Sequence, residues 1–287
     1  MWTQVALSSA KACIFFRNEI RTALRRFRPY ASEPANDQLA FRQGLEIIRQ
    51  AKLAGGKLGR VLEIGTGWVP TIPYLFHAAG AGEIVMTDVE ELIDAHTHAA
   101  AKAFVAKNID EIADQLNLSA DVARANLERP FAGLYMCPFD RSRVAARSID
   151  VVYSRTVLEH ISPPTLEHIL SDGRDYLAPG GLSIHVIDNS DHFEHRDKSL
   201  SRINFLRYPD WIWRMTHLNI QSYQNRLRHS DYIRLFQQAG YDLLHVEGEA
   251  HAGCLEELKT MKLAPRFKGY TPNDLATLTS LIVARNG

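Results

Sequence analysis

The chain has 287 residues, 46% hydrophobic and 23% charged, the make-up of an ordinary globular protein with room for one α/β domain plus additions, or two small ones. Its 33 basic residues balance 33 acidic ones and its pI is about 7.2, so no overall field recruits nucleic acid or anionic lipid. Cys13, Cys137 and Cys254 are scattered without a CxxC pair, which excludes a disulfide framework and a cysteine-rich structural zinc site and suits a reducing cytoplasm.

No apolar run approaches the roughly 18 residues of a membrane span, so no stable membrane insertion is expected. The opening "MWTQVALSSAKACIFFRNEI" lacks the basic-then-apolar order of a signal peptide, and a cytoplasmic location is expected. The basic run Arg17 to Arg28 reads as a solvated helix face rather than a membrane or phosphate contact.

Residues 1–55 read as an N-terminal helical segment, broken at Pro29 and Pro34 and resumed in "QLAFRQGLEIIRQAKLA". "RVLEI" is then a strand that ends in Gly65-Thr66-Gly67, with Pro70 set for the first turn of a helix. "GEIVMTD" is a buried-type strand and "LIDAHTHAAAKAFVA" a helix. "IDEIADQL" and "SADVARANL" are two short helices, the second with Ser119 as N-cap. "GLYMCPF" and "SIDVVYS" are strands, "TLEHILSDGRDYL" is an amphipathic helix stopped by "APGG", and "LSIHVID" is the next strand. Helix "SDYIRLFQQAG" and strands "YDLLHVEG" and "LTSLIVARN" close the chain. Strands alternating with helices predict a doubly wound, mostly parallel sheet with its ligand at the carboxyl ends of the strands.

The glycine loop favours a particular kind of ligand. Gly65 and Gly67 permit positive φ and close backbone approach, but the third glycine of a pyrophosphate-binding fingerprint is replaced by Pro70, and Trp68 crowds the turn. Such a loop suits a nucleoside without phosphates, which is the description of S-adenosylmethionine. Asp88 closes the second strand where a carboxylate can accept both ribose hydroxyls.

"VLEIGTGWVP", "IVMTDV", "SIDVVYSRTVLEHI" and "YLAPGGLSIHVID", in this order, resemble the class I S-adenosylmethionine-dependent methyltransferases of the small-molecule type. The resemblance spans about Arg60 to Asp188, with a looser echo to the C-terminus. It implies a Rossmann-like sheet of seven strands, the last antiparallel, in a methyltransferase domain over 56–287, with a helical substrate cap inserted at about 189–228. By the same resemblance Glu63, Gly65, Thr66 and Gly67 surround the methionine portion, and Asp88 and Val89 meet the ribose. Cys137 and Pro138 lie by the adenine, and Ser154 and Arg155 line the inner edge. "LYMCPF" departs from relatives that carry an acidic residue at the adenine, so backbone and apolar adenine contacts are expected.

Transfer of a methyl from a sulfonium needs alignment, exclusion of water and, for a hydroxyl or amine acceptor, a base. His160 follows the "VVYS" strand and reads either as a base or as pocket lining. Asp188, Asp191, His192 and His195 leave the strand "LSIHVID", while His185 inside it reads as a packed core residue. His192 is the favoured base, His160 the second candidate, and Asp191 the carboxylate that orients. The His and Asp spacing matches no strong metal motif, so no metal is assigned. His195, Trp211, Tyr223, Arg226 and Arg228 are candidate substrate contacts, aromatics enclosing an apolar acceptor and arginine holding an acid; a helical flap with an ordinary core is the alternative.

The resulting expectation is an enzyme that methylates an oxygen or nitrogen of a small molecule and takes no nucleic-acid partner. An NAD-dependent oxidoreductase, a non-catalytic cofactor-binding protein and a macromolecular methyltransferase remain open. The N-terminal helices either cap the pocket or build a homodimer.

Overall fold

A computed structural model describes residues 34–215 and 223–287. The basic run and the part of the N-terminal helical segment before Pro34 lie outside the described residues. Helix α1 (Pro34–Leu53) leads into β1 (Arg60–Ile64), α2 (Thr71–Ala78), β2 (Glu83–Thr87), α3 (Ala95–Lys107), α4 (Ile109–Leu116), α5 (Ala120–Glu128) and β3 (Gly133–Met136). Then come β4 (Ile149–Arg155), α6 (Pro163–Tyr176), β5 (Leu177–Asp188), α7 (Asp210–Met215), α8 (His229–Gln238), β6 (Tyr241–Glu247), α9 (Ala252–Leu258), α10 (Pro272–Ala276) and β7 (Thr279–Asn286).

The seven strands form one sheet in the order β3-β2-β1-β4-β5-β7-β6, with β7 antiparallel to both its neighbours and the other pairings parallel. Strand order reverses between β1 and β4, and their carboxyl ends flank the crevice where such sheets bind ligands. The central strands read as continuous apolar runs because both faces are covered. On one face Val61, Val151, Tyr153 and Ile184 pack against α1 and α2. On the other, Leu62, Val152 and Ile282 pack against α6 and α8. A third core joins the segment after β5 to the region before β7, with Phe193, Phe205, Trp213 and Phe267 at its centre.

Local chemistry explains most element boundaries. Ser119 and Ser162 cap α5 and α6 by accepting from Val122 N and Thr165 N, and Asp94 caps α3 through a reciprocal pair with Thr97. In α4 the apolar residues Ile109, Ile112, Ala113 and Leu116 share one buried face. Pro34 stands at the start of α1, where a proline gives up no bond. Two expectations are corrected. Pro70 occupies the N-cap position, one residue ahead of the first turn of α2. The "APGG" stretch belongs to β5, which begins directly after α6. Among the described residues no helix is long and apolar enough to cross a membrane.

Candidate active site

The glycine loop after β1 is tied to β2 by its backbone. Gly65 N–H and Thr66 N–H both donate to Thr87 O at 2.9 Å, and Gly67 N–H donates to Asp88 Oδ2 at 2.8 Å. Gly65 and Gly67 both have φ +73°. A Cβ on Gly65 would lie 2.6 Å from Val157 Cγ2, so the loop passes the end of β4 with no room for a side chain. Asp88 Oδ1 accepts from Val89 N–H at 2.8 Å and Glu90 N–H at 3.3 Å, which fixes the carboxylate at the tip of β2.

Beside this loop lies a cavity of about 480 Å³, within the range of small-molecule sites. Leu62, Ile64, Val152 and Ile169 make it mainly apolar, and Asp88, Val89, Pro138, Phe139 and His160 also line it. Of the residues expected at the cofactor, Gly65, Asp88, Val89 and Pro138 line this space; Pro138 follows a cis peptide from Cys137. Glu63 and Thr66 do not line it; alternation along β1 puts Glu63 on the opposite face from Leu62 and Ile64, near Thr66 and Tyr153. Glu63 is buried, one carboxylate oxygen has no hydrogen-bond partner, and burial raises its pKa to about 7, with the hydroxyls of Thr66 and Tyr153 pulling the other way.

Ser154 and Arg155 do not line this cavity. Ser154 is fully buried and pairs through Oγ with His185 Nδ1 at 2.7 Å, while His185 Nε2 meets Ser183 Oγ at 2.8 Å. Ser154 shares the face of Val152 on β4, but its hydroxyl is engaged with His185 in the core. His185 is the packed core histidine expected, its pKa lowered to about 3 by burial. Arg155 Nε donates to Gln43 Oε1 of α1 at 2.6 Å.

A second, polar cluster stands at the carboxyl ends of β4 and β5. The rings of His160 and His192 lie 4.9 Å apart and tilted, and those of His192 and His195 lie 4.9 Å apart and stacked. His160 Nδ1 donates to Tyr223 O at 2.7 Å, which leaves Nε2 with its lone pair. Crowding around the ring, then the neighbouring His192, hold the His160 pKa below the ordinary value. His192 Nε2 is 3.4 Å and His195 Nε2 3.6 Å from Asp188 Oδ2. Burial works against the Asp188 charge, but His192 and Ser190 outweigh it and its pKa falls well below the ordinary range.

The structure revises the expected roles here. His160, not His192, lines the cavity. The carboxylate against His192 is Asp188; Asp191 is fully buried, accepts from Phe193 N–H at 2.9 Å, and has its pKa raised to about 6 by burial. Arg226 and Arg228 are structural. Arg226 is buried, bonds Phe205 O, Tyr208 O and Asp210, and lies 4.8 Å from the Trp213 ring. Arg228, with no exposure, donates to Asn189 O, Leu275 O and Thr277 O, stitching the segment after β5 to α10. Trp211 is 61% exposed, whereas Trp213 belongs to the third core and donates to Gln224 O at 2.9 Å. Sequence reasoning missed Glu159, which is buried with neither carboxylate oxygen hydrogen-bonded. Its only signal was an acidic residue directly before His160.

A family model described as a methyltransferase domain matches residues 16–246. The chain belongs to this family. It is a class I S-adenosylmethionine-dependent methyltransferase, with the seven-stranded order and antiparallel β7 of that fold and S-adenosyl-L-methionine as cofactor. Similar solved structures include an S-adenosylmethionine-dependent methyltransferase from Mesorhizobium loti, 13% identical, with 82% of this chain and 95% of that chain covered and a TM-score of 0.47. Another is phosphoethanolamine N-methyltransferase 2 from Haemonchus contortus in complex with S-adenosyl-L-methionine, 15% identical, covering 85% of this chain and 52% of that one at a TM-score of 0.46. No curated protein matches the methyltransferase sequence.

The cavity of this methyltransferase fits its cofactor in kind. The apolar walls suit a purine, the fixed Asp88 carboxylate suits a ribose diol, and the unpartnered oxygen of Glu63 lies beneath the loop that would hold the cationic methionine portion.

Proposed function

We propose that this methyltransferase moves the methyl group of S-adenosylmethionine to an oxygen or nitrogen of a small-molecule acceptor. Glu63, Gly65, Thr66 and Gly67 hold the methionine portion, Asp88 and Val89 the ribose, and Cys137 and Pro138 the adenine. The acceptor enters from the ends of β4 and β5, where His195 and the Tyr223 carbonyl lie, and Trp211 of the cap at 189–228 offers an exposed aromatic surface. The N-terminal segment 1–55 closes the pocket or pairs two copies, and the neutral chain with unpaired Cys137 and Cys254 is consistent with work in the cytoplasm.

The observation that carries this reading is His160 lining the cavity, with Nδ1 committed to Tyr223 O and Nε2 free to accept a proton. A lowered pKa keeps the ring neutral at working pH, as a base requires. Methyl transfer turns a sulfonium into a neutral thioether; the acceptor gains the methyl and its proton passes to His160 Nε2. Alignment of acceptor and methyl supplies much of the rate, and His160 removes the proton.

The test is formation of S-adenosylhomocysteine from S-adenosylmethionine with panels of phenols, carboxylic acids and amines. His160→Gln is expected to slow turnover by about 10²- to 10⁴-fold while binding S-adenosylhomocysteine as before. Turnover confined to RNA or protein acceptors would overturn the small-molecule reading.

A further inference from the structure

Two imidazole nitrogens converge on a single carboxylate oxygen beside the cavity. His192 Nε2 and His195 Nε2 stand 3.4 and 3.6 Å from Asp188 Oδ2, too far for sound hydrogen bonds. The contact is not a packing accident at the surface, since His192 Nε2 is buried and has no hydrogen-bond partner. A tetrahedral ion with ligands at about 2.1 Å sets its ligand atoms about 3.4 Å apart, close to the two distances from Asp188 Oδ2. The ligand atoms of all three residues lie within 4.8 Å of one another.

We propose that Asp188, His192 and His195 hold a divalent first-row transition-metal ion at the end of β5, next to the methyl-transfer site. Two imidazoles and one carboxylate are a donor set such ions accept, and the ion's remaining positions are left for water or acceptor.

The surroundings fit an ion. Ser190 N–H and Oγ donate to Asp188 Oδ1 at 2.9 and 2.6 Å, an outer shell that leaves Oδ2 free for the metal. His195 Nε2 is 3.2 Å from Ser190 Oγ, so loading the ion shifts the His195 proton to Nδ1. On the far side of His192 lies Glu159, buried, with both oxygens unpartnered and its ligand atom within 4.8 Å of those of His160 and His192. A carboxyl in that position is stabilised as an anion by a dication nearby. A cleft of about 250 Å³ lined by Asp188, Ser190 and His195 gives the ion and its waters access. The role of the ion rests on the proposed oxygen or nitrogen acceptor: it would bind the acceptor and lower the pKa of its proton, which His160 then removes. Ion binding itself does not depend on that reading.

The experiment uses the full chain without a polyhistidine tag, dialysed against chelator and titrated with Zn²⁺ by calorimetry and with Co²⁺ by visible absorption. One ion per chain is expected, with the intense visible bands of a low-coordinate nitrogen and oxygen site. Asp188→Asn and His192→Gln should each weaken binding by about 100-fold or more, beyond the ~10- to 100-fold typical of losing an outer-shell partner. Unchanged affinity for S-adenosylhomocysteine certifies that these variants fold. His160→Gln should keep the ion while losing turnover, which separates failure of the metal site from failure of the acceptor reading. Absence of binding in the wild type, or binding indifferent to both ligand variants, would overturn the proposal.

Discussion

Glu63 offers a quantitative test of the cofactor loop. Its carboxyl is buried beneath Gly65-Thr66-Gly67, and its pKa stands at about 7 against 4.5 for an ordinary glutamate. Because the folded-state value is raised, the folded chain binds the proton more tightly than the unfolded chain between these two values, and stability falls as pH rises through that window. Above pH 7 the folded state carries an ionised carboxylate in an apolar place, at a cost of about 3 kcal/mol, from about 1.4 kcal/mol per tenfold shift over the interval. Below about pH 4.5 both states are protonated and the cost is gone. Urea unfolding of the wild type and Glu63→Gln at pH 5, 6, 7 and 8 isolates this group, since other titrations cancel in the difference. The variant should gain on the wild type by up to about 3 kcal/mol between pH 5 and 8. A cationic cofactor above this carboxyl would draw the proton off, so binding below pH 7 should release a proton detectable from the buffer dependence of the calorimetric heat. A stability difference that is the same at pH 5 and pH 8 refutes the reasoning.

Other consequences follow from single contacts. Gly65→Ala places a Cβ 2.6 Å from Val157 Cγ2 at a positive φ, so it should lower stability by about 1–3 kcal/mol and weaken cofactor binding, read by denaturation and titration. Arg228→Met removes a guanidinium that bonds three carbonyls in the interior; a loss of about 3 kcal/mol or more in chemical denaturation is expected. Because the His160 pKa is lowered, kcat/KM should fall only below about pH 6.5 on the acid side, and an acid limb centred above that value would exclude His160 as the base.

The sheet was largely legible in the sequence because both its faces are covered. Runs such as Val61-Leu62-Glu63-Ile64 and Leu281-Ile282-Val283-Ala284 are short, apolar and rich in β-branched residues, and their length favours strands over helices. The loop was legible for a local reason: Gly65 and Gly67 announce a positive-φ backbone that side chains rarely adopt. The polar cluster was only half legible. Whether Asp188 or Asp191 meets His192 depends on how the chain turns after β5, and the bonds of Asn189 to Leu278 and of Ser190 to Gln224 decide that through partners distant in sequence. Arg226 and Arg228 looked like anion binders for the same reason; only the third core shows that carbonyl groups of the fold consume their donors. The short helices α9 and α10 escaped notice because each has fewer than two full turns of pattern.

The central claim is that the space between the glycine loop and Asp88 holds a sulfonium nucleoside. Calorimetric titration of the wild type and Asp88→Ala with S-adenosylhomocysteine tests it most directly. One molecule bound per chain, weakened at least tenfold in the variant, and no heat with a nicotinamide dinucleotide are the expected results. Silence with S-adenosylhomocysteine alongside saturable uptake of the dinucleotide would contradict it.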